Sequence, residues 1–277
     1  MRACTRLVGT VLAGVIVASS AAAQSNLRIG LAVDPDNLDP TMSGSYVGRV
    51  VHAALCDKLF DVDANLNIVP QLALSHETSA DRKTVTIKLR PNVKFQDGEP
   101  FDAEAVKFTL ERHMTARGSL RKAELSQIDS VEVVDPLTVR LLLKAPFSPL
   151  IAQLADRAGM MVSPRAAREA GDKFVNKPVC AGPFRFVERV AQDHITLERF
   201  ADYWDKDRIH IDRVTYVPIP DGTVRLANLR AGQLDLIERV LATDVPGLRN
   251  DPKLKVIVGP SLTYFGLVIN LANSDRA

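Results

Sequence analysis

The apolar pattern of this chain changes period twice, and that change limits its fold more than any other feature. Leu27, Ile29 and Leu31 alternate with Arg28 and Gly30, which is strand spacing. Val47, Val50, Val51, Ala54 and Leu55 then recur at helical spacing, predicting a helix up to about Lys58. From roughly residue 60 to 175 the pattern turns to hairpins: Val131–Val134 and Thr138–Lys144 flank Asp135-Pro136. After residue 214 the first alternation returns. A strand over Val214–Ile219 leads through Pro220-Asp221 into a helix to Leu229 that stops near Gly232, with further strands over 234–237, 255–258 and 266–269. Strand–helix alternation at both ends predicts an α/β fold with a mixed sheet, and the hairpin-rich middle predicts an inserted α+β subdomain.

Local signals mark the element ends. Val85, Ile87 and Leu89 oppose Thr84, Thr86, Lys88 and Arg90, a half-buried strand, and Val93 and Phe95 extend it beyond Pro91-Asn92. Gln96-Asp97-Gly98 is a turn in which Gly98 supplies positive φ. Asp102 reads as the N-cap of a helix carrying Val106, Leu110 and Met114. Ser163-Pro164 is a cap followed by proline at the first helical position, and Gly171 closes that helix. Phe184–Val187 and Ile195–Leu197 form a hairpin around Gln192-Asp193.

The first 23 residues read as an export signal. Arg2 and Arg6 give a basic start, Leu7–Ala18 is an apolar run too short to span a bilayer, and Ala21-Ala22-Ala23 supplies a small-residue cleavage site before Gln24. Cys4 precedes the apolar run, which is the wrong order for a lipoprotein. The chain carries 35 basic and 33 acidic residues. Loss of Arg2 and Arg6 leaves a neutral mature chain, without the basic excess of a nucleic-acid binder. Cleavage also leaves only Cys56 and Cys180. Export permits them to pair, and buried free thiols are the equal alternative.

Signatures of catalysis and of bound cofactors are absent. Gly44-Ser45-Tyr46-Val47-Gly48 puts its serine in the wrong place for a nucleophile elbow, and His76-Glu77 lacks a second histidine at position 80. No phosphate-binding glycine loop occurs. His52 and Cys56 share a predicted helix face, but two ligands rarely make a tight metal site, so a buried helix face is the expectation. His113, His194 and His210 have charged neighbours and are expected to be exposed.

Five stretches, in order, resemble one family. They are LRIGLAVDPDNLDP (Leu27–Pro40), TVTIKLRPNVKFQDGEPFDAEAVKFTLER (Thr84–Arg112), SVEVVDPLTVRLLLKAPFSPL (Ser130–Leu150), PVCAGPFRFVERVAQDHITLERFADYW (Pro178–Trp204) and IPDGTVRLANLRAGQLDLIE (Ile219–Glu238). The sequence resembles the extracellular solute-binding proteins of family 5, the peptide, dipeptide and nickel receptors of bacterial ABC importers. Asn92 stands where the family usually has glycine, and asparagine tolerates left-handed backbone. Gln96 replaces a usual histidine, and Cys180 replaces a glycine, a point of expected backbone strain.

The resemblance implies a periplasmic binding protein-like lobe of the class II type. Residues 1–23 would be the signal peptide, 24–59 and 176–262 the core of lobe I, and 60–175 the inserted subdomain. Residues 263–277 would be the hinge crossing and the start of a second lobe that this length does not hold. The implied protein is a periplasmic, monomeric receptor without cofactor, metal or catalytic residues. It would hand a short peptide or similar solute to a membrane permease and its ATPase, without inserting in the membrane or binding nucleic acid. The alternatives are a truncated fragment without function or a secreted hydrolase. Ser43, Ser45 and Tyr46, in the loop after the first strand, are the expected ligand wall, with Tyr264 and Asn270 as second choices. Asp221 and Asp235 are expected to be cap and turn residues.

Overall fold

The computed structural model describes residues 24–259. In chain order, β1 (Asn26–Leu31) leads to α1 (Tyr46–Leu55), then to β2 (Phe60–Val62), β3 (Ile68–Pro70), β4 (Ala73–Thr78), β5 (Thr84–Leu89) and α2 (Ala103–Thr115). β6 (Ile128–Asp135), β7 (Thr138–Leu143), the short α3 (Leu150–Gln153) and α4 (Pro164–Ala170) follow. The chain continues through β8 (Phe184–Val190), β9 (His194–Arg199), β10 (Arg213–Pro218), α5 (Gly222–Arg230), β11 (Leu236–Ile237) and α6 (Val245–Arg249).

The strands form two principal sheets. One has the order β11-β1-β10-β9-β8, with β1 parallel to both β10 and β11 and the β10-β9-β8 run antiparallel. The other is the antiparallel sheet β4-β5-β7-β6, beside a small β2-β3 ladder. Each sheet has its own core. Leu31, Val47, Val51, Leu55, Ile195, Leu197, Val214 and Tyr216 pack between α1 and the first sheet. Ile87, Leu89, Phe95, Val106, Leu110, Val139 and Leu141 join α2 to the second.

The local signals act as their chemistry requires. Asp102, Ser163 and Asp221 each accept a backbone N–H at the start of their helices, and Gly171 caps the end of α4. Asn92 and Gly98 have φ of 59° and 86°, so the left-handed backbone expected at both is present.

Four expectations are corrected. Val93 and Phe95 are buried but extend no strand; a single bridge, Lys94 to Pro100, closes a tight turn there. The strand expected over 234–237 shrinks to Leu236–Ile237. Residues 255–258 have no strand pairing among the described residues, and Ile257 and Val258 are 78% and 70% exposed. Cys180 does not lie in the left-handed region, so its substitution for glycine brings no strain there. The strand expected over 266–269 lies outside the described residues.

The chain passes between the two sheets at a neck. Cys56, just past α1, and Cys180, just before β8, are buried and joined by a disulfide, with Cα atoms 4.8 Å apart. Beside it the Gly182 N–H donates to the Leu55 carbonyl at 3.0 Å. A Cβ on Gly182 would lie 2.5 Å from the Leu55 carbonyl carbon and oxygen, so this approach admits only glycine. Gln96 completes the joint. Its Nε2 donates to the carbonyls of Leu55 and Phe184 at 2.7 and 2.8 Å, and its Oε1 accepts the Cys180 N–H at 3.0 Å.

Candidate functional site

The three parallel strands β11, β1 and β10 end on one edge of their sheet, and the segments beyond them form a rim. Arg225 of α5, 3% exposed, fastens this rim. Its guanidinium donates to the carbonyls of Ile219 and Pro220 past β10 and of Glu238 and Arg239 past β11. Glu238 in turn accepts the Ala32 N–H past β1 at 2.9 Å. The C-terminal ends of all three strands are thereby tied together, where open α/β sheets hold their ligands.

The loop between β1 and α1 stands over the same edge. Asp36 organises it: its carboxylate accepts the Ser43 and Ser45 hydroxyls, each at 2.7 Å, and the Gly44 N–H at 2.7 Å. Burial alone would raise the Asp36 carboxyl. The hydrogen bonds from Gly44, Ser43 and Ser45 overcome that and hold it well below the usual carboxylate range. Ser45 also caps α1 by accepting the Gly48 N–H. From behind, Arg157 donates to the carbonyls of Ser43 and Ser45, and Arg121 to that of Ser43. Burial, reinforced by Arg121 and Arg49, lowers the Arg157 pKa.

These bonds distinguish the expected site residues. Ser43 is fully buried, and both serine hydroxyls are committed to Asp36. Tyr46 is 41% exposed at the start of α1, with the Arg239 guanidinium 5.1 Å from its ring centroid. Tyr264 and Asn270 lie outside the described residues. Asp221 caps α5, and Asp235 pairs with Arg28 at 2.8 Å. Sequence reasoning missed Asp36, Arg157 and Arg239. The run from Asp36 to Ser43 and Ser45 carries the mark of an acid held by turn hydroxyls, whereas nothing local announces the two arginines.

The histidines also differ from expectation. His113 is fully buried on α2, between the Thr41 hydroxyl and the Met160 carbonyl. His52 is equally buried, and the disulfide takes the Cys56 sulfur that a shared metal would need. Burial lowers both imidazoles to about 4. His194 is partly exposed against Asp193 and Glu188, and His210 is exposed. The Thr41–His113 contact pairs a hydroxyl with an imidazole, but both groups are sealed from solvent and Arg112 donates to the same hydroxyl.

Asp57, one residue past the disulfide, is the other buried acid of note. Its carboxylate accepts Gln71 Nε2, the Tyr203 hydroxyl and Trp204 Nε1, at 3.1, 2.9 and 2.7 Å. Burial raises its pKa to about 7, although Trp204 and Tyr203 pull it down and nearby Lys58 opposes burial too. Arg90 lies over the Trp204 ring at 3.9 Å. Between pH about 4 and 7 the folded chain holds a proton here that the unfolded chain has lost, so the Asp57 contribution to stability falls as pH rises. The two histidines work oppositely, costing stability as pH falls from about 6.5 to about 4. Trp204 is the sole tryptophan, so intrinsic emission reads this carboxyl directly. A fluorescence titration is expected to show a midpoint near pH 7 that disappears in Asp57→Asn. A midpoint near 4, or one retained in the variant, would assign the signal elsewhere.

A mixed sheet with a polar rim at its parallel strand ends, joined by a neck to a second, antiparallel sheet, is a periplasmic binding protein-like lobe. The chain belongs to the bacterial extracellular solute-binding proteins, family 5, whose middle-region model matches residues 67–276. It is similar to the glutathione-binding protein GsiB of Pectobacterium atrosepticum, 32% identical over 96% of this chain and 52% of that one. The structure of AgaA from A. tumefaciens, in complex with agropinic acid, is 33% identical. It superimposes with a TM-score of 0.78 over 82% of this chain and 46% of its own. DppA from Helicobacter pylori, in complex with the peptide STSA, is 26% identical. Its TM-score is 0.75 over 83% of this chain and 49% of its own. The chain spans about half the length of the curated relatives it matches. No helix among the described residues is long and apolar enough to cross a membrane.

Proposed function

We propose that this chain forms one wall of the ligand cleft of an exported, periplasmic receptor. The receptor captures short peptides or similar small solutes and delivers them to an ABC permease and its ATPase. The observation that carries this reading is the rim itself: loops from three parallel strand ends, fastened by Arg225 and Asp36, with Tyr46 exposed among them. A rigid rim of this kind supplies pre-positioned hydrogen-bonding groups and one aromatic face, which suits a flexible polar ligand. The printed ligands of similar proteins agree in class, since glutathione is itself a tripeptide. In this reading the opposing wall closes over the solute by a hinge motion, and no covalent step occurs.

The test is thermal unfolding of the protein with a panel of di- and tripeptides that includes glutathione and trialanine, with agropinic acid as comparator. A peptide present at about a hundred times its Kd is expected to stabilise by about 2.7 kcal/mol. A response to agropinic acid alone would replace the peptide reading with an opine-like one. No shift with any compound would overturn the receptor reading.

A further inference from the structure

We propose that Arg49, Arg121 and Arg157, gathered behind the β1–α1 loop, form a binding site for a small monovalent anion of the halide class. The inference does not depend on what the rim binds.

Three observations carry it. The first is an excess of buried donors. Arg121 is 3% exposed and Arg157 9%. The Nε–H groups of Arg49, Arg121 and Arg157 are all buried and have no hydrogen-bond partner among the described residues. Terminal nitrogens of the same side chains are already used. Arg157 donates to the Ser43 and Ser45 carbonyls, Arg121 to the Ser43 carbonyl and Glu124, and Arg49 to Asp156. A buried donor left unpaired is costly, and three around one cluster call for a shared acceptor.

The second is charge. Arg157 is surrounded by Arg121, Arg49, Asp156 and Glu124, so three cations face two acids and one positive charge is left over. The neighbouring groups do not cancel it. Asp36 is committed to Ser43, Ser45 and Gly44, Asp39 is paired with Arg112, and buried His52 stays neutral above pH about 4. The crowding registers on Arg157 itself, whose pKa is lowered by burial first and then by Arg121 and Arg49. Water would satisfy the donors but leave the charge buried, whereas an anion answers both.

The third is size and access. Nη2 of Arg121 and Nη1 of Arg157 meet on a single oxygen, the Ser43 carbonyl, at 3.2 and 3.0 Å. Guanidiniums drawn together on one atom leave space beside them for a single-atom ion, not for a tetrahedral oxyanion. The Arg49 side chain is 40% exposed and that of Asp156 36%, so this end of the cluster meets solvent and gives the ion its way in. Bound there, the ion would brace the loop that carries Ser43 and Ser45.

The experiment is thermal unfolding of the protein in sodium chloride against sodium gluconate at equal ionic strength, with sodium bromide as a second probe. Gluconate is too large for the site. Chloride at about ten times its Kd is expected to raise the melting temperature by about 3–6 °C, saturably, and bromide should do the same. In Arg157→Gln the difference between salts should fall below about 1 °C. Arg213→Gln, which removes a buried unpaired Nε on β10 outside the cluster, should keep it. Where Arg157→Gln does not fold, Arg49→Gln replaces it, since that side chain is partly exposed and holds one ion pair. Broadening of the chlorine NMR line by the wild type, reversed by bromide, gives a readout independent of stability. Equal melting in chloride and gluconate, or no broadening by the wild type, would overturn the proposal and leave water as the occupant. A chloride effect that survives in the cluster variant, or that Arg213→Gln also abolishes, would overturn it as well.

Discussion

Reducing the Cys56–Cys180 disulfide, or replacing both cysteines with serine, is expected to cost the fold about 4–5 kcal/mol. The two sulfurs close a loop with a sequence separation of 124, which places the bond near the top of the range for loop-closure entropy. Without it the unfolded chain gains all the freedom of that loop, while the folded neck keeps the Gly182–Leu55 and Gln96 bonds. For a chain of this size the loss corresponds to a melting temperature lower by about 10–20 °C. Both cysteines are buried, so reductant reaches them only through opening of the neck, and the fall should develop slowly at low temperature. Melting curves with and without reductant, beside the double-serine variant, measure it. A shift under about 3 °C would mean that the neck is held by its hydrogen bonds and packing instead.

Replacing Asp39 with asparagine should cost nearly as much, about 3–5 kcal/mol. Asp39 is fully buried and receives both terminal nitrogens of Arg112, with the Thr41 N–H on the same carboxylate at 2.9 Å. Arg112 itself is 14% exposed and lies over Phe174. The variant leaves a nearly buried guanidinium without its counter-charge, which is more costly than losing the pair as a whole. Replacing both partners with apolar residues should therefore recover part of the stability. The pH dependence gives a second reading. Burial would raise the Asp39 carboxyl, but the Arg112 bond and charge prevail and lower it. A depressed carboxyl gives stability that is present above its unfolded value near 3.9 and lost as pH falls through the lower folded value. The acid limb of the stability curve should flatten in Asp39→Asn. Chemical denaturation at pH 7 and pH 3 checks both points, and a loss below about 1 kcal/mol at neutral pH would show that water has replaced the missing charge.

The parts of this molecule that were legible in the sequence are those whose physics is local. Asp102, Ser163 and Asp221 cap their helices three residues away, and Gly98 and Asn92 answer for their own backbone. The order of β1, α1, β5, α2, β6, β7 and β10 followed from periodicity for the same reason, whereas β2, β3, β4, α3 and α6 were not foreseen. Strand β4 escaped notice because five of its six residues are exposed, which leaves no alternation to read. Residues 255–258 erred in the other direction: the β-branched run Val256-Ile257-Val258 suggests a strand, but no partner pairs with it among the described residues. His113 misled because its charged neighbours do not imply solvent: Glu111 is exposed, but Arg112 is itself turned inward onto buried Asp39 and reaches the same Thr41 hydroxyl as His113. The rim was legible only as a place. Arg157 meets Ser43 across 114 positions, and Arg239 meets Tyr46 across a still longer stretch, so no spacing rule reaches them.

The neck has a meaning for descent as well as for stability. The chain departs at Cys56 and returns at Cys180 within 4.8 Å, and the whole antiparallel sheet is built from residues in between. A gene can lengthen, shorten or exchange such a loop without shifting the strands on either side, because the points of exit and return already nearly coincide. The parallel strand ends, which carry the rim, lie outside that loop. Variation in the second sheet that spares Arg112, Arg121 and Arg157, which reach back to the β1–α1 loop, can thus alter the shape of the lobe while the register of β1, β10 and β11 stays fixed.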